Sequence, residues 1–199
     1  MSPAAPQGTA PKRAAPQAGL ASPFATVRRV AAEEAHARED ALVEALADVL
    51  IDCVEGGASV SFMLPLERAK ALAFWRGVLQ GAARKERVLL VAETAEGRII
   101  GTVQLIVAQP DNQPHRADIA KMLVHRDARR QGVAAQLMVA VDQAARAEGK
   151  TVLVLDTVTG SAAERLYQRA GWQIAGMVPN YALMPDGAYC GTTFLYKQL

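Results

Sequence analysis

The residues best equipped for chemistry are the run Arg129-Arg130-Gln131-Gly132-Val133-Ala134. Upstream lies Met122-Leu123-Val124, an apolar run of the length of a buried strand. Downstream, Val133, Leu137, Val139, Ala140, Val141 and Ala144 recur with the period of a helix packed on a sheet. The six residues therefore occupy a strand-to-helix turn and the first turn of the helix. Backbone N–H groups at such an end lack intrahelical acceptors, and the macrodipole places partial positive charge there. Gly132 lets the backbone approach a ligand closely, Ala134 adds little bulk, and Arg129 and Arg130 add fixed charge. The combination suits a pyrophosphate. The same residue types also make ordinary solvated turns, and on these six residues alone that plain reading comes first.

The elements that must position this turn follow from periodicity. At 199 residues and 51% hydrophobic content the chain suits one α/β domain with a full core. Residues 1–22, rich in Ala, Pro and Gln, cannot bury enough to offset the entropy of ordering and read as a disordered tail; 23–199 read as the domain. Phe24 to Val30 reads as a strand, Glu33 to Val54 as a helix ended by Gly56-Gly57, and Leu66 to Leu79 as a second helix. Arg87 to Ala92, Ile99 to Ile106 and Arg116 to Val124 read as three strands, the first two a hairpin. The helix after the turn runs to about Glu148 and stops at Gly149. Thr151 to Asp156 has the unbroken apolar run of a strand covered on both faces. Ser161, with Glu164 three residues on, caps a helix carrying Leu166 and Tyr167. Trp172 to Val178 and Tyr189 to Tyr196 close the sheet across a Pro185-Asp186-Gly187 turn.

Composition narrows the partners. Net charge is +2, with acids and bases interspersed and no aromatic-rich basic stripe, so nucleic acid is not an expected partner. Cys53 and Cys190 form no metal-ligand spacing or disulfide framework, and with three histidines a zinc site is not expected. No apolar run approaches the ~20 residues of a membrane span, and the first segment lacks a signal-peptide core. The expected location is cytoplasmic.

The form Arg-x-x-Gly-x-Ala, after a strand and opening a helix, resembles the acyl-coenzyme A pyrophosphate loop of the GNAT acetyltransferase superfamily. The element order over Phe24 to Leu199 is similar to the GNAT fold. A second motif of that family is Ala163-Glu164-Arg165-Leu166-Tyr167-Gln168-Arg169-Ala170-Gly171-Trp172. The resemblance implies an α/β fold with a mixed, mostly antiparallel sheet of about seven strands flanked by helices. It also implies a splay between the fourth and fifth strands that receives the pantetheine arm of acetyl-CoA. Main-chain groups of Met122, Leu123 and Val124 would hold that arm, and Arg129, Arg130, Gln131, Gly132, Val133 and Ala134 the pyrophosphate. Tyr167 would protonate the departing thiolate. No metal is implied, and a homodimer is expected because family members often pair. Further runs resemble the tabtoxin-resistance acetyltransferase branch, which acetylates the amine of an amino-acid-like toxin: Gly56-Gly57-Ala58-Ser59-Val60, Arg116-Ala117-Asp118, Lys121-Met122-Leu123-Val124, Leu155-Asp156-Thr157 and the 179–187 tail.

Acetyl transfer to an amine needs a neutral nitrogen, a polarised thioester carbonyl and a proton for the thiolate. An ammonium must lose a proton before it attacks, so a carboxylate within reach is useful. Asp118 and Asp156 are the candidates for base or ammonium anchor; each could equally serve its own strand or turn. A backbone N–H near Leu123 or Val124 would polarise the carbonyl. Nothing visible activates Cys53 or Cys190, which disfavours an acetyl-cysteine route. The expected function is N-acetyl transfer from acetyl-CoA to a small amine, such as an amino-acid-like toxin or metabolite. The alternatives are acetylation of a protein amino terminus or lysine, and a non-catalytic coenzyme A-binding module.

Overall fold

A computed structural model describes residues 25–199 of the protein. The stretch read as a tail lies outside the described residues, as does Phe24 at the head of the first expected strand. The elements run β1 (Thr26–Arg29), α1 (Ala32–Ala37), α2 (Glu39–Glu55), α3 (Arg68–Ala83), β2 (Arg87–Glu93), β3 (Ile99–Ile106) and β4 (Arg116–Val124). A single 3-10 turn (Arg126–Ala128) leads to α4 (Val133–Ala147), β5 (Val152–Val158), α5 (Ala162–Arg169), β6 (Gln173–Leu183) and β7 (Tyr189–Gln198). The strands form one sheet in the order β1-β2-β3-β4-β5-β7-β6, with β4 and β5 the parallel pair and every other pair antiparallel.

Alternation along the strands divides the core between the two faces. In β2, Leu89 and Val91 pack with α2 and α3, among Leu46, Leu50 and Trp75. Val88, Leu90 and Ala92 point the other way, toward Leu137 and Val141 of α4. Both faces are covered, which is why β2 and β3 read as near-continuous apolar runs.

The expected helix from Glu33 to Val54 is two helices, because Arg38 leaves helical geometry at φ −127°, ψ 25°. Before the break, Glu34 of α1 receives both Nη groups of Arg28 from β1, at 2.7 and 2.9 Å. The second helix starts two residues later than its periodicity suggests and continues to Ala83, which leaves residues 56–67 as a long connection beside the sheet.

Two irregularities in β4 shape the site. Pairing with β5 covers only Arg116, Ala117 and Asp118, opposite Val152, Leu153 and Val154. Beyond them β4 follows β3 as far as Val124, and β5 follows β7 as far as Val158, so the two strands part. Between the pairs Gln104–Ala120 and Thr102–Leu123, β4 also carries one extra residue, and Lys121 there takes φ +50°. This is a β-bulge, which bends its strand and re-aims a side chain.

On the opposite side α4 lies hard against β3 at Gly101. A Cβ there would sit 3.0 Å from the Leu123 carbonyl oxygen, 3.2 Å from Val133 Cγ1 and 3.3 Å from Leu137 Cδ1. Gly101→Val is expected to destabilise the fold by about 1–3 kcal/mol through overpacking. Urea denaturation checks this as a fall in midpoint at unchanged slope; an unaltered midpoint would refute the tight contact.

Candidate active site

The turn expected to hold the pyrophosphate sits at the start of α4. Gly132 is the N-cap, in the left-handed region at φ +82°, and no side chain of the described protein caps the helix. Only glycine adopts that conformation without cost, a stronger reason for Gly132 than its small size. Arg130 is also left-handed, at φ +61°. The first-turn N–H groups lack intrahelical partners, and Arg130 has no ion-pair partner among the described residues. An uncapped positive helix end beside an unpaired arginine fits a pyrophosphate. Of the other expected contacts, Gln131 donates through Nε2 to the Asp127 carbonyl at 2.9 Å. Val133 turns its side chain into the core, leaving its main chain for a ligand. Ala134 is half-buried behind it.

A residue that periodicity did not single out fixes this end in place. Asp52 of α2 is 7% exposed. It accepts the Arg126 backbone N–H at 2.8 Å and the Arg126 Nε, with His125 Nε2 at 3.5 Å and Arg129 Nη2 at 4.0 Å. Arg129 in turn donates from Nε to the Val124 carbonyl at 3.2 Å. Burial opposes the Asp52 charge, but the Arg126 hydrogen bonds and the neighbouring His125 and Arg126 outweigh it and hold the carboxyl below the ordinary carboxylate range. The available signal was an acid inside the apolar stretch Val49 to Val54, on the buried face of a helix.

Where β4 and β5 part lies a cleft of about 620 Å³, lined by Ile119 to Met122 of β4, Leu155 to Val158 of β5, Tyr167, residues 57–63, Tyr181 to Leu183 of β6 and Met184 just after it. The His125 N–H donates to the Ile100 carbonyl at 2.9 Å. Antiparallel alternation then turns the main chain of Leu123 toward β3 and that of Val124 toward the gap. Of the two expected thioester-polarising positions, Val124 is therefore the one facing β5. Its carbonyl already accepts Arg129 Nε and, at 3.5 Å, Cys53 Sγ. Burial pushes the Cys53 thiol up, and Cys190 is buried, so neither is primed as a nucleophile.

Tyr167 reaches the cleft from α5. The Ser161 hydroxyl accepts the Glu164 N–H at 3.1 Å, and the Glu164 carboxylate accepts the Gly160 N–H at 2.6 Å. That reciprocal cap sets the helix so that the Tyr167 ring rests against Trp172, with centroids 6.0 Å apart. Tyr167 is 6% exposed, and burial, helped by the Asp156 charge, pushes its hydroxyl far above the usual phenol value. It stays protonated at any working pH and can give a proton only to a strongly basic neighbour. Asp156 lines the same cleft from β5.

Asp118 is not brought to the cleft. It sits where β4 and β5 still pair, and its carboxylate is taken by Arg116, on the same face two residues earlier, and by Gln109 Nε2 at 3.0 Å. Lys121, not picked out from the sequence, takes a place in the cleft wall because of the bulge. Its Nζ donates to Ser61 Oγ at 3.2 Å and lies 5.8 Å from the Phe74 ring centroid. Burial lowers its pKa, the Asp156 charge opposing. Trp75 of α3 is fully buried core. The cleft is bridged at one end. Ser59 Oγ donates to the Leu183 carbonyl at 2.9 Å, and the Leu64 N–H donates to the Pro185 carbonyl at 3.0 Å, tying the α2–α3 connection to the β6–β7 hairpin. Among the described residues, no group of three or more His, Cys, Asp or Glu could hold a metal, and no helix is long and apolar enough to cross a membrane.

Asp52 yields a pH prediction with a definite sign. Its folded carboxyl is depressed, so its stabilisation is present above the unfolded value near ~4 and is lost as pH falls through the folded value. Denaturation midpoints of wild type and Asp52→Asn, measured from neutral to strongly acid pH, are expected to differ most at neutrality and to approach each other in acid. A gap independent of pH would contradict the assignment.

Comparison with known proteins agrees with this geometry. Residues 85–174 match the family model described as an acetyltransferase (GNAT) domain. An uncharacterized N-acetyltransferase in the hisH-hisA intergenic region of Azospirillum brasilense is 36% identical over 113 residues; the match spans 56% of this chain and 65% of that protein's length. A GCN5-related N-acetyltransferase from Kribbella flavida superposes with a TM-score of 0.71 at 22% identity, covering 88% of this chain and 98% of its own. A GNAT superfamily phosphinothricin acetyltransferase from Sinorhizobium meliloti, solved with acetyl-CoA, superposes with a TM-score of 0.70 at 15% identity, covering 88% and 89%. At such identities the structural likeness establishes the GNAT fold for this chain, and residues 85–174 match the acetyltransferase (GNAT) domain model.

Proposed function

We propose that the protein is an acetyl-CoA-dependent N-acetyltransferase acting on the primary amine of a small molecule, an amino-acid-like toxin or metabolite. The observation that supports the acceptor class is the bridge at one end of the cleft: the Ser59 to Leu183 and Leu64 to Pro185 bonds leave less room there for an extended peptide. A protein amino terminus or lysine needs an open groove there. The resemblance to the tabtoxin-resistance branch supports the same acceptor class, and a cytoplasmic location goes with it.

Acetyl-CoA, when bound, supplies an acyl carbon already activated as a thioester. The α4 N-terminus with Arg129 and Arg130 holds its pyrophosphate, and the main chain of Met122, Leu123 and Val124 its pantetheine arm. The amine nitrogen forms the new C–N bond to the acyl carbon, the C–S bond breaks, and the sulfur leaves as a thiolate. Tyr167 gives that thiolate its proton, which a phenol held protonated by burial can do only once a strong base develops beside it. Asp156 attracts the acceptor ammonium and takes up a proton directly or through one water. Asp118 serves the strand, through Arg116 and Gln109. A pure coenzyme A-binding module needs neither Tyr167 nor Asp156 in the cleft.

A homodimer is the partner state we propose. It is supported by β6, an edge strand that exposes Ile174, Met177, Tyr181 and Leu183, with Tyr189 of β7 beside them; Met177 is 59% and Tyr189 74% exposed. Edges of this kind pair with another chain unless they are protected.

Two outcomes follow. In a thiol-release assay across amino acids, dipeptides, polyamines and amine-bearing toxins, release is expected to depend on amine. Tyr167→Phe should then lower kcat on the order of 10²-fold or more, with acetyl-CoA affinity by calorimetry preserved, while Arg130→Ala weakens that affinity on the order of tenfold or more. Acetyl-CoA binding without thiol release by any amine would favour the binding module. Light scattering is expected to show a dimer that Met177→Lys shifts toward monomer; a wild-type monomer at all concentrations would sink the pairing.

A further inference from the structure

The charges lining the cleft carry more than an amine site. Among the residues that form its walls, only two bear a full charge: Lys121 on β4 and Asp156 on β5. They stand on the two strands that part, and no ion pair within 4 Å joins them. Lys121 has no carboxylate partner among the described residues. Its polar contact is the neutral Ser61 hydroxyl at 3.2 Å, and its charge lies near the Phe74 ring. Lys121 is half-buried in the cleft wall, and a cation drawn out of water is ordinarily paired with an anion, so this one is left incomplete by the protein.

Both members of the contact are held at a cost. Lys121 is left-handed at φ +50°, and Ser61 is left-handed at φ +73°. Such conformations are uncommon outside glycine and persist where surrounding structure over-determines them, often at functional sites. Here the surroundings are the β4 bulge and the 56–67 connection, the latter tied to β6–β7 by the bridge over the cleft. The fold thus holds a lysine and a hydroxyl together facing a gap whose opposite wall holds one carboxylate.

Resting on the acetyl-transfer reading, we propose that Lys121 and Ser61 form an anion-binding subsite for the acceptor, so that the acceptor is a zwitterion with its amine toward Asp156 and a carboxylate or similar oxyanion toward Lys121. The subsite explains why one charge of each sign faces the cleft without the two meeting: the space between them is filled by a molecule carrying the complementary pair. It also makes Lys121 a residue of specificity, separating amino acids from simple amines. An uncharged analogue that fills the cleft covers the half-buried lysine and leaves it unpaired, which disfavours that analogue, the kind of discrimination a polar site achieves.

The test uses the full chain and the proteinogenic L-amino acids, each beside its α-carboxamide and its decarboxylated amine. For the best-used amino acid, wild type is expected to show kcat/KM at least tenfold above the amide, as loss of a charged hydrogen bond implies. In Lys121→Met that ratio is expected to fall toward one, with KM for the acid carrying the change, and Lys121→Arg to restore part of it. Acetyl-CoA titrations of each variant by calorimetry report whether donor site and fold are intact. Equal use of acid and amide by wild type overturns the subsite, as does a Lys121→Met variant whose kcat falls alike for acid, amide and amine, the signature of a lysine acting as base. If no amine releases thiol, the acetyl-transfer reading fails separately. Calorimetric binding of the same amino acids and amides to protein saturated with coenzyme A then decides the subsite, a preference for the acid that disappears in Lys121→Met supporting it and its absence overturning it.

Discussion

Three residue pairs hold β4 to β5, and then each strand follows its other neighbour. Because β3 keeps β4 to Val124 and β7 keeps β5 to Val158, the parting is built into the sheet and costs no frayed ends. Main-chain groups along the inner edge of β4 are left without a strand partner, and buried backbone groups must find one. Val124 shows how: its carbonyl takes Arg129 and Cys53. The cleft, the ligand-facing edge and the placement of Lys121 all descend from this one divergence and the bulge beside it.

The donor end depends on long-range support. A helix terminus with a left-handed glycine cap offers N–H groups but cannot orient itself. Orientation comes from Asp52, whose carboxylate gathers Arg126, His125 and, at longer range, Arg129 onto α2. The same helix ends at the connection that forms the acceptor wall, so one rigid element touches both halves of the site. Its buried Leu46 and Leu50, in one core cluster with Trp75 of α3, make that support stiff.

The part of the cleft proposed for the acceptor is defined by closure and by charge. The bridge from the 56–67 connection to the β6–β7 hairpin limits what can enter, and inside it the walls are apolar or neutral apart from Lys121 and Asp156. Two opposite charges without ion-pair partners act on whatever lies between them. Tyr167 feels the same field: burial and Asp156 together keep its proton in place.

The sequence by itself determined what short-range physics governs. Apolar periodicity located the strands, though not the last five residues of β6, and the helices, though not the break at Arg38 or the end of α3; the Ser161–Glu164 pair announced α5, and Arg-x-x-Gly-x-Ala marked the turn whose glycine proves left-handed. These signals lie within a few residues of one another and survive any packing. Tertiary structure decided the rest, because side chains distant in sequence met or failed to meet. Asp52 reaches Arg126 across 74 positions, and Lys121 reaches Ser61 across 60. Asp118, legible as an acid on the central strand, is spent on Arg116 and Gln109 because the sheet has not yet opened at its level. A one-residue bulge, invisible to a period-two pattern, put a lysine rather than that aspartate into the wall of the cleft.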